Sequence, residues 1–486
     1  MILKKILKKY KGLSRPVKAS IWFVVCGAMK DAIDVLATPI FTRILTKEQY
    51  GYFNVYNSWF QIVKIVFALY LFGEVFNVGL SRFEEDRDRF VSSTLGFITA
   101  STFLYLIIYS IFHSQIDSFV GMPGFLILLL FIHVVVYSSY YCWLRRERYN
   151  YRYEKAVVVS SLYVIMQPLL AILAILYLDI PLDPGYKRIF AAIGVQIVIG
   201  IVLYIGMMSK GRAFYNREYW RYSFKTGLEL VPFNLSKVIL NQSDRIMINR
   251  FAGPGDTAIY SVAHSAAFVL QVVTEAINGS FVPWLYRKLK EGNYEGVRSV
   301  VNGLVAFVGV ATILLDLVSP EIMLVLAKKE YYIGVFCIPS LLFSVYLILI
   351  YSLFTNVELF YGKNIGITMI STLGTIVNIG LNSVFIPKFG FIVAGYTTLA
   401  SYLVICFGHY VMMQKNLSEK SINVSDLFDM RFILGLSLAL LTVTLSCTLI
   451  YNWAWIRWSL VVVILLTLFV SRKQWLTLLL ELKENK

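Results

Sequence analysis

What this chain lacks first is charge. Only 15% of its 486 residues are Asp, Glu, Lys or Arg, where a soluble globular domain has roughly 25%. Acid is the scarcer sign: 29 Asp and Glu face 45 Lys and Arg, a net charge of +16. In a soluble protein that surplus would suggest a nucleic-acid partner. Here 58% of residues are hydrophobic, mean hydropathy is +0.68, and the apolar residues gather in bilayer-length runs. A cytosolic globular chain and a nucleic-acid binder are both excluded, and the basic surplus becomes a matter of loop sorting.

Site chemistry is sparse as well. Cys26, Cys142, Cys337, Cys406 and Cys447 lie in apolar stretches with no CxxC and no neighbouring histidine, so they read as small hydrophobes. His113, His133, His264 and His409 have no metal-ligand spacing. No glycine-rich phosphate loop is present, so no cofactor is expected and ATP-driven transport would need a separate subunit. Asp86-Arg87-Asp88 has the spacing of a metal-binding DxD, but it lacks a surrounding nucleotide-binding domain and reads as a solvated turn.

What is present is a series of membrane spans. A spanning helix needs about 20 mostly apolar residues. The sequence offers fourteen, near residues 19–43, 51–74, 90–112, 124–144, 156–178, 189–209, 226–250, 257–282, 298–318, 332–355, 365–387, 390–412, 431–451 and 455–471. The expected fold is an all-α polytopic membrane protein. Every connecting loop is under about 25 residues, too short for an extramembrane domain. A membrane-embedded glycan polymerase or glycosyltransferase would need such a domain or a catalytic loop.

Loop charge gives the orientation. With the N-terminus inside, 32 basic residues fall on cytoplasmic segments, and only Lys47, Lys187, Arg188, Lys328, Lys329 and Lys388 fall outside. Both termini are therefore expected in the cytoplasm. In the arm formed by residues 1–18, Ile2, Leu3, Ile6, Leu7 and Tyr10 recur at helical spacing, with Lys4, Lys5, Lys8 and Lys9 on the other side. Two readings stay open: a short helix on anionic inner-leaflet lipid, or a disordered topology anchor. The arm leads into a span carrying Lys30, Asp31 and Asp34 with no small-residue cleavage site after it, unlike a signal peptide.

Polar residues inside spans are the informative ones, because each costs free energy unless it faces protein, water or substrate. They concentrate on four spans. The first carries Lys30, Asp31 and Asp34, and the second Asn54, Asn57, Gln61 and Lys64. The seventh carries Lys237, Asn241, Asp244 and Arg245, and the eighth His264, Gln271, Glu275 and Asn278. These stripes suggest one shared cavity. The alternative is that buried charges pair to hold helices together, which suits Asp244 and Arg245 best.

The first six spans and the next six each start from the same side, as parallel repeats would. Residues 19–225 and 226–412 are then two six-helix lobes, and 413–486 adds two helices and a cytoplasmic tail. An ungapped shift of 207 residues puts Lys30 on Lys237, Asp34 on Asn241, Arg43 on Arg250, Val55 on Val262 and Ser58 on Ser265.

The stretch Phe41-Thr42-Arg43-Ile44-Leu45-Thr46-Lys47-Glu48-Gln49-Tyr50-Gly51-Tyr52-Phe53 resembles the first outer hairpin of the polysaccharide-biosynthesis (O-antigen) flippases. Asn241-Gln242-Ser243-Asp244-Arg245-Ile246-Met247-Ile248 and Ala258-Ile259-Tyr260-Ser261-Val262-Ala263 are similar to the signature of their second half. These flippases belong to the multidrug/oligosaccharidyl-lipid/polysaccharide exporter superfamily. The resemblance implies two six-helix lobes around a central cavity, working by alternating access in the bacterial inner membrane. It implies a polyprenyl (undecaprenyl)-pyrophosphate-linked oligosaccharide as substrate, moved from inner to outer leaflet for cell-surface polysaccharide assembly. It also implies work alongside a glycan polymerase and glycosyltransferases.

The polar residues suit that cargo. A lipid pyrophosphate cannot cross hydrocarbon without counter-charge, and Lys30, Lys64 and Lys237 lie near mid-span, with Arg245 assisting on the outward side. Asn57, Gln61, Asn241 and Gln271 offer hydrogen bonds to sugar hydroxyls. Asp34 and Glu275 are the candidates for coupling to a proton or sodium gradient. Arg43 and Arg250, with Asp244, are candidates for an outer gate, although the two arginines equally suit headgroup anchors. A multidrug or cation antiporter of the same superfamily is the leading rival, and it should prefer acidic and aromatic residues in the cavity.

Overall fold

The computed structural model describes residues 14–362 and 364–472. Most of the basic N-terminal arm and the C-terminal tail lie outside the described residues, as does the side chain of Asp31. Among the described residues all regular structure is helical. Fourteen long helices coincide with the fourteen expected spans. They are α1 (Arg15–Ile44), α2 (Lys47–Phe67), α3 (Arg87–Val120), α4 (Gly124–Tyr149), α5 (Tyr153–Tyr177), α6 (Pro184–Gly211) and α7 (Arg217–Ala252), followed by α8 (Pro254–Glu291), α9 (Val297–Leu317), α10 (Ile338–Phe360), α11 (Asn364–Phe389), α12 (Val393–Ser418), α13 (Met430–Cys447) and α14 (Ala454–Val470).

Ten helical segments are long and apolar enough to cross a membrane by length and composition. The chain is a multi-pass membrane protein. The helices that fall short are α1, α2 and α7, three of the four that carry the polar stripes, and α14, which has 17 residues. Their polarity is the feature to explain.

Local chemistry sets the helix ends. The α1–α2 reversal is two residues long because Thr46 and Gln49 form a capping box, with Gln49 N donating to Thr46 Oγ1 at 3.3 Å and Thr46 N to Gln49 Oε1 at 3.1 Å. Helix α2 stops at Phe67, short of the expected residue 74. Two consecutive non-glycine residues, Leu69 and Tyr70, have positive φ there (46° and 56°), a conformation that ends a helix. The turn is buried through Ala68, Leu71 and Phe72, so its sequence is as apolar as a helix and hides the break. A short helix, Glu74–Arg82, follows.

The chain divides into two compact units, residues 1–238 and 239–486. The expected boundary at 225/226 differs from this division, which falls inside α7. The start of α7 is tied to the first unit: Trp220 Nε1 donates to Ser93 O at 3.0 Å and Tyr222 Oη to Val75 O at 3.1 Å. Residues 413–486 do not stand apart either, since α13 packs on α9 and α10.

Within the units the same pairings recur. Helix α4 packs on α6 as α10 packs on α12, and α5 on α6 as α11 on α12. Likewise α3 meets α4 as α9 meets α10, and α2 meets α4 as α8 meets α10. Lipid gives no hydrophobic drive for such contacts, so close backbone approach matters. At the α11–α12 contact a Cβ on Gly374 would lie 2.3 Å from Ile405, and one on Gly408 would lie 2.8 Å from Ile370.

Candidate functional site

In the first unit, Lys30 and Asp34 form an i,i+4 pair at 2.9 Å on an exposed face of α1. The lysine charge is close enough to act on Lys64 of α2. Lys64 is buried, donates to Tyr137 Oη at 3.1 Å, and sits 4.6, 5.5 and 5.8 Å from the ring centres of Tyr137, Phe60 and Phe72. That is an aromatic box around an ammonium. Asn57 accepts from Gln61 Nε2 at 3.3 Å on the same helix. Lys237 of α7 is exposed.

A second feature of this unit was not anticipated, because its histidine was read as chemically quiet. His133 of α4 meets Tyr56 Oη of α2 at 3.1 Å through Nδ1 and Gln196 Oε1 of α6 at 2.8 Å through Nε2. Tyr163 of α5 donates to the same Gln196 oxygen at 2.7 Å, and Gln196 Nε2 donates to Gln167 Oε1 at 2.9 Å. Four helices are joined by five side chains, none of them formally anionic.

The second unit holds the more unusual arrangement. Asp244 of α7 is 3% exposed. Its carboxylate accepts from Tyr260 Oη of α8 at 2.6 Å, Thr398 Oγ1 of α12 at 2.7 Å, and Asn382 and Asn378 Nδ2 of α11 at 2.7 and 3.3 Å. Ser243 donates to Asn378 Oδ1 at 2.7 Å, and Thr397 donates to Asn382 Oδ1. Every donor on the carboxylate is neutral. A cavity of about 30 Å³ adjoins it, lined by Asn241, Asp244, His264, Gln271, Thr398 and Tyr402 among others, and it has room for a water molecule or a bare monovalent ion.

The remaining expected residues separate by exposure. Asn241 and Gln271 come together on that cavity. Arg245 is half-buried and donates to Ser261 Oγ, Asn241 O and Gln242 Oε1 at 3.1–3.2 Å. Glu275 is exposed and accepts from Gln271 Nε2 at 3.0 Å. Arg43 and Arg250 are exposed at their helix ends, with Arg43 donating to Pro39 O at 2.8 Å. Asp244, grouped with them from the sequence, does not share their open setting and is the buried hub described above. The partners of the hub were missed because Asn378, Asn382, Thr397 and Thr398 lie on spans judged only by their apolar character. The i,i+4 spacing of the two asparagines was the available signal.

Comparison with known proteins follows the same line. The profile of the family described as "Polysaccharide biosynthesis protein" matches residues 17–289, more than half of the chain. The chain belongs to this family. Two curated relatives come from Haemophilus influenzae. An "uncharacterized membrane protein" is 27% identical over 202 residues, 40% of this chain and 50% of the relative, so the chain matches about half of that relative's length. The "Lsg locus putative protein 1" is 23% identical over 372 residues, 74% of this chain and 88% of the relative.

Among solved structures, the lipid II flippase MurJ in its inward closed conformation aligns with a TM-score of 0.62 at 14% identity, covering 94% of this chain and 99% of MurJ. An inward-facing multidrug-resistance MATE transporter of the MOP superfamily aligns at 0.57 and 13% identity, covering 82% and 99%. The fold is that of MurJ and the MATE transporters.

Proposed function

We propose that this protein is a transporter rather than an enzyme, and that it moves a polyprenyl-pyrophosphate-linked oligosaccharide from the inner to the outer leaflet of a bacterial plasma membrane by alternating access. The observation that carries the reading is the cationic character of the first unit's polar face. Lys30 stands exposed on α1 with Lys64 within reach of its charge, and Lys237 is exposed on α7. A pyrophosphate dianion needs such counter-charge in hydrocarbon, whereas a cationic drug would be repelled. Family membership and the MurJ-like fold support the same cargo class. Asn57, Gln61, Asn241 and Gln271 supply hydrogen bonds for sugars, and Arg245 holds charge on the far side. The termini lie in the cytoplasm in this reading, where glycosyltransferases supply the cargo, and a polymerase consumes it outside.

Coupling is assigned to Asp244 in place of Asp34 and Glu275. Those two carboxylates are exposed, Asp34 beside Lys30 and Glu275 accepting from Gln271 on its own helix. Asp244 is a buried carboxylate whose hydrogen-bond donors are all neutral, beside an ion-sized cavity and with the Arg245 charge near enough to act on Tyr260 and His264. A buried carboxylate of this kind is a candidate for binding a proton or monovalent cation.

The test is uptake of fluorescent lipid-linked oligosaccharide into the protected leaflet of proteoliposomes. Lys30→Ala, Lys64→Ala and Lys237→Ala should each lower the rate at least tenfold with unchanged protein levels. Full activity in all three variants, or export of cationic drugs in place of glycolipid, would reject the reading in favour of an antiporter.

A further inference from the structure

Far from the Asp244 hub in sequence, α10 and α12 share a second ionisable pair. Glu358 Oε1 lies 3.0 Å from His409 Nδ1, and both side chains are 0% exposed. The other atom of each group, Glu358 Oε2 and His409 Nε2, has no hydrogen-bond partner. The same holds for Asn356 Nδ2, for both amide atoms of Asn416 and for Asn302 Oδ1. Folded proteins leave few buried polar atoms unpaired. These six atoms lie near the start of α9 and the ends of α10 and α12, while other unpaired atoms are spread through the chain. Spans alternate in direction, so these positions all lie toward one face of the membrane, the face that loop charge assigns to the cytoplasm.

Most charged groups on the packed helices lie toward their ends, and α8, whose Tyr286 meets Phe360 of α10 at 5.5 Å, brings Arg287, Lys288, Lys290 and Glu291 to the same end. Tyr351 of α10 stacks on the His409 ring at 5.6 Å, and α12 adds Tyr402, Cys406 and Tyr410. From α8, Glu275 acts on Tyr351. Arg298 at the start of α9 is paired with Asp429 beside α13, and Arg431 stands at the start of α13. Asp316 lies at the opposite end of α9, and the described charged side chain of α11, Lys388, at that helix's far end. Among the described residues none of these hydrogen-bonds to Glu358 or His409.

We propose that Glu358 and His409 form a proton-binding site that ties the α10–α12 contact to one proton. The argument is a count of charge. With Glu358 ionised and His409 neutral, the dry pair carries a net negative charge, and no described cation hydrogen-bonds to it. One added proton makes it neutral, whether the proton sits on the imidazole or on the carboxyl, and burial favours that state. If the contact opens to water from the unpaired amides, the carboxylate and the neutral imidazole are each stable near neutral pH, and the proton leaves for solvent. Closing α10 on α12 thus takes up one proton and opening releases one, a linkage between packing and pH. The proton site stands on the geometry alone; its use in driving transport rests on the flippase reading above.

The chain has four histidines, which makes nitrogen NMR of labelled histidine practical on the full protein in lipid nanodiscs. Between about pH 8 and about pH 5, one resonance, removed by His409→Gln, should keep a constant charge state and shift when Glu358→Gln is introduced. Free titration of His409 near pH 6.5, the value of an unperturbed imidazole, would overturn the proposal in the wild type, with no variant needed. In the transport assay Glu358→Gln should flatten the pH dependence of the rate, and an unaltered pH profile would also overturn it. If the resonance behaves as expected but the wild type moves no glycolipid, the flippase reading fails and the proton site stands.

Discussion

Each unit buries a polar network that joins corresponding helices, and the two differ in charge. In the first, Tyr56, His133, Tyr163, Gln167 and Gln196 connect α2, α4, α5 and α6 without a formal charge. In the second, Asp244 and its donors connect α7, α8, α11 and α12 around a carboxylate. The second, fifth and sixth helices of each repeat take part in both. A neutral network satisfied from within has nothing left to bind, and in a bilayer it serves as glue between helices. An anionic network satisfied only by neutral donors keeps a net charge, and so retains an affinity for a cation. The repeat therefore keeps a place for buried polarity in both units, neutral in the first and anionic in the second.

The comparison breaks first at Asp244. Asp244→Asn keeps the shape and removes the charge, so gradient-driven transport in proteoliposomes should fall roughly 10- to 100-fold, about 1.4 kcal/mol per decade, while the protein still purifies folded. An Asp244→Asn variant that responds normally to imposed sodium and proton gradients would put coupling elsewhere. The next effect is on stability, in the other unit. His133→Phe fills the volume but strands Tyr56 Oη, at a cost of about 1–3 kcal/mol, while Gln196 Oε1 keeps its bond from Tyr163. The midpoint of thermal unfolding in detergent should drop while the transport rate is kept. A stable His133→Phe protein that no longer transports would mean the neutral network also takes part in the cycle.

The spans were legible because a bilayer demands a long apolar run, and run length survives any arrangement of neighbours. The end of α2 was not, since the turn at Ala68–Phe72 is buried and apolar like the helix before it. Glu358 lay beyond the expected end of its span at residue 355, and α10 continues to Phe360. Within the candidate site, the Lys30–Asp34 pair follows from i,i+4 spacing alone. Phe60, one turn before Lys64, was equally readable, but Phe72 and Tyr137 complete the box only through tertiary packing. The hub has the same character: Asp244 and Thr398 are 154 positions apart, and a single threonine in an apolar span says nothing about what it will face.

The smallest expected effect concerns how the second unit departs from the repeat. Helix α3 leaves Phe103, Leu104 and Ile111 exposed, whereas its counterpart α9 is covered by α13 and α14. The start of α13 is fixed by Asp429, which accepts from Arg298 of α9 and from Phe432 N at 3.2 Å. The Arg298 hydrogen bond, helped by that backbone N–H, holds the Asp429 carboxyl below its ordinary range. A carboxyl depressed in the folded state contributes stability that is complete above its unfolded value, near 3.9, and is lost as pH falls through the lower folded value. Asp429→Asn should therefore remove a small acid-limb dependence from the unfolding midpoint and leave neutral pH almost unchanged, because exposed pairs are weak. A large loss at neutral pH would mean that α13 is held on α9 by this pair rather than by packing, and that the added helices are a more detachable part of the second unit than their burial suggests.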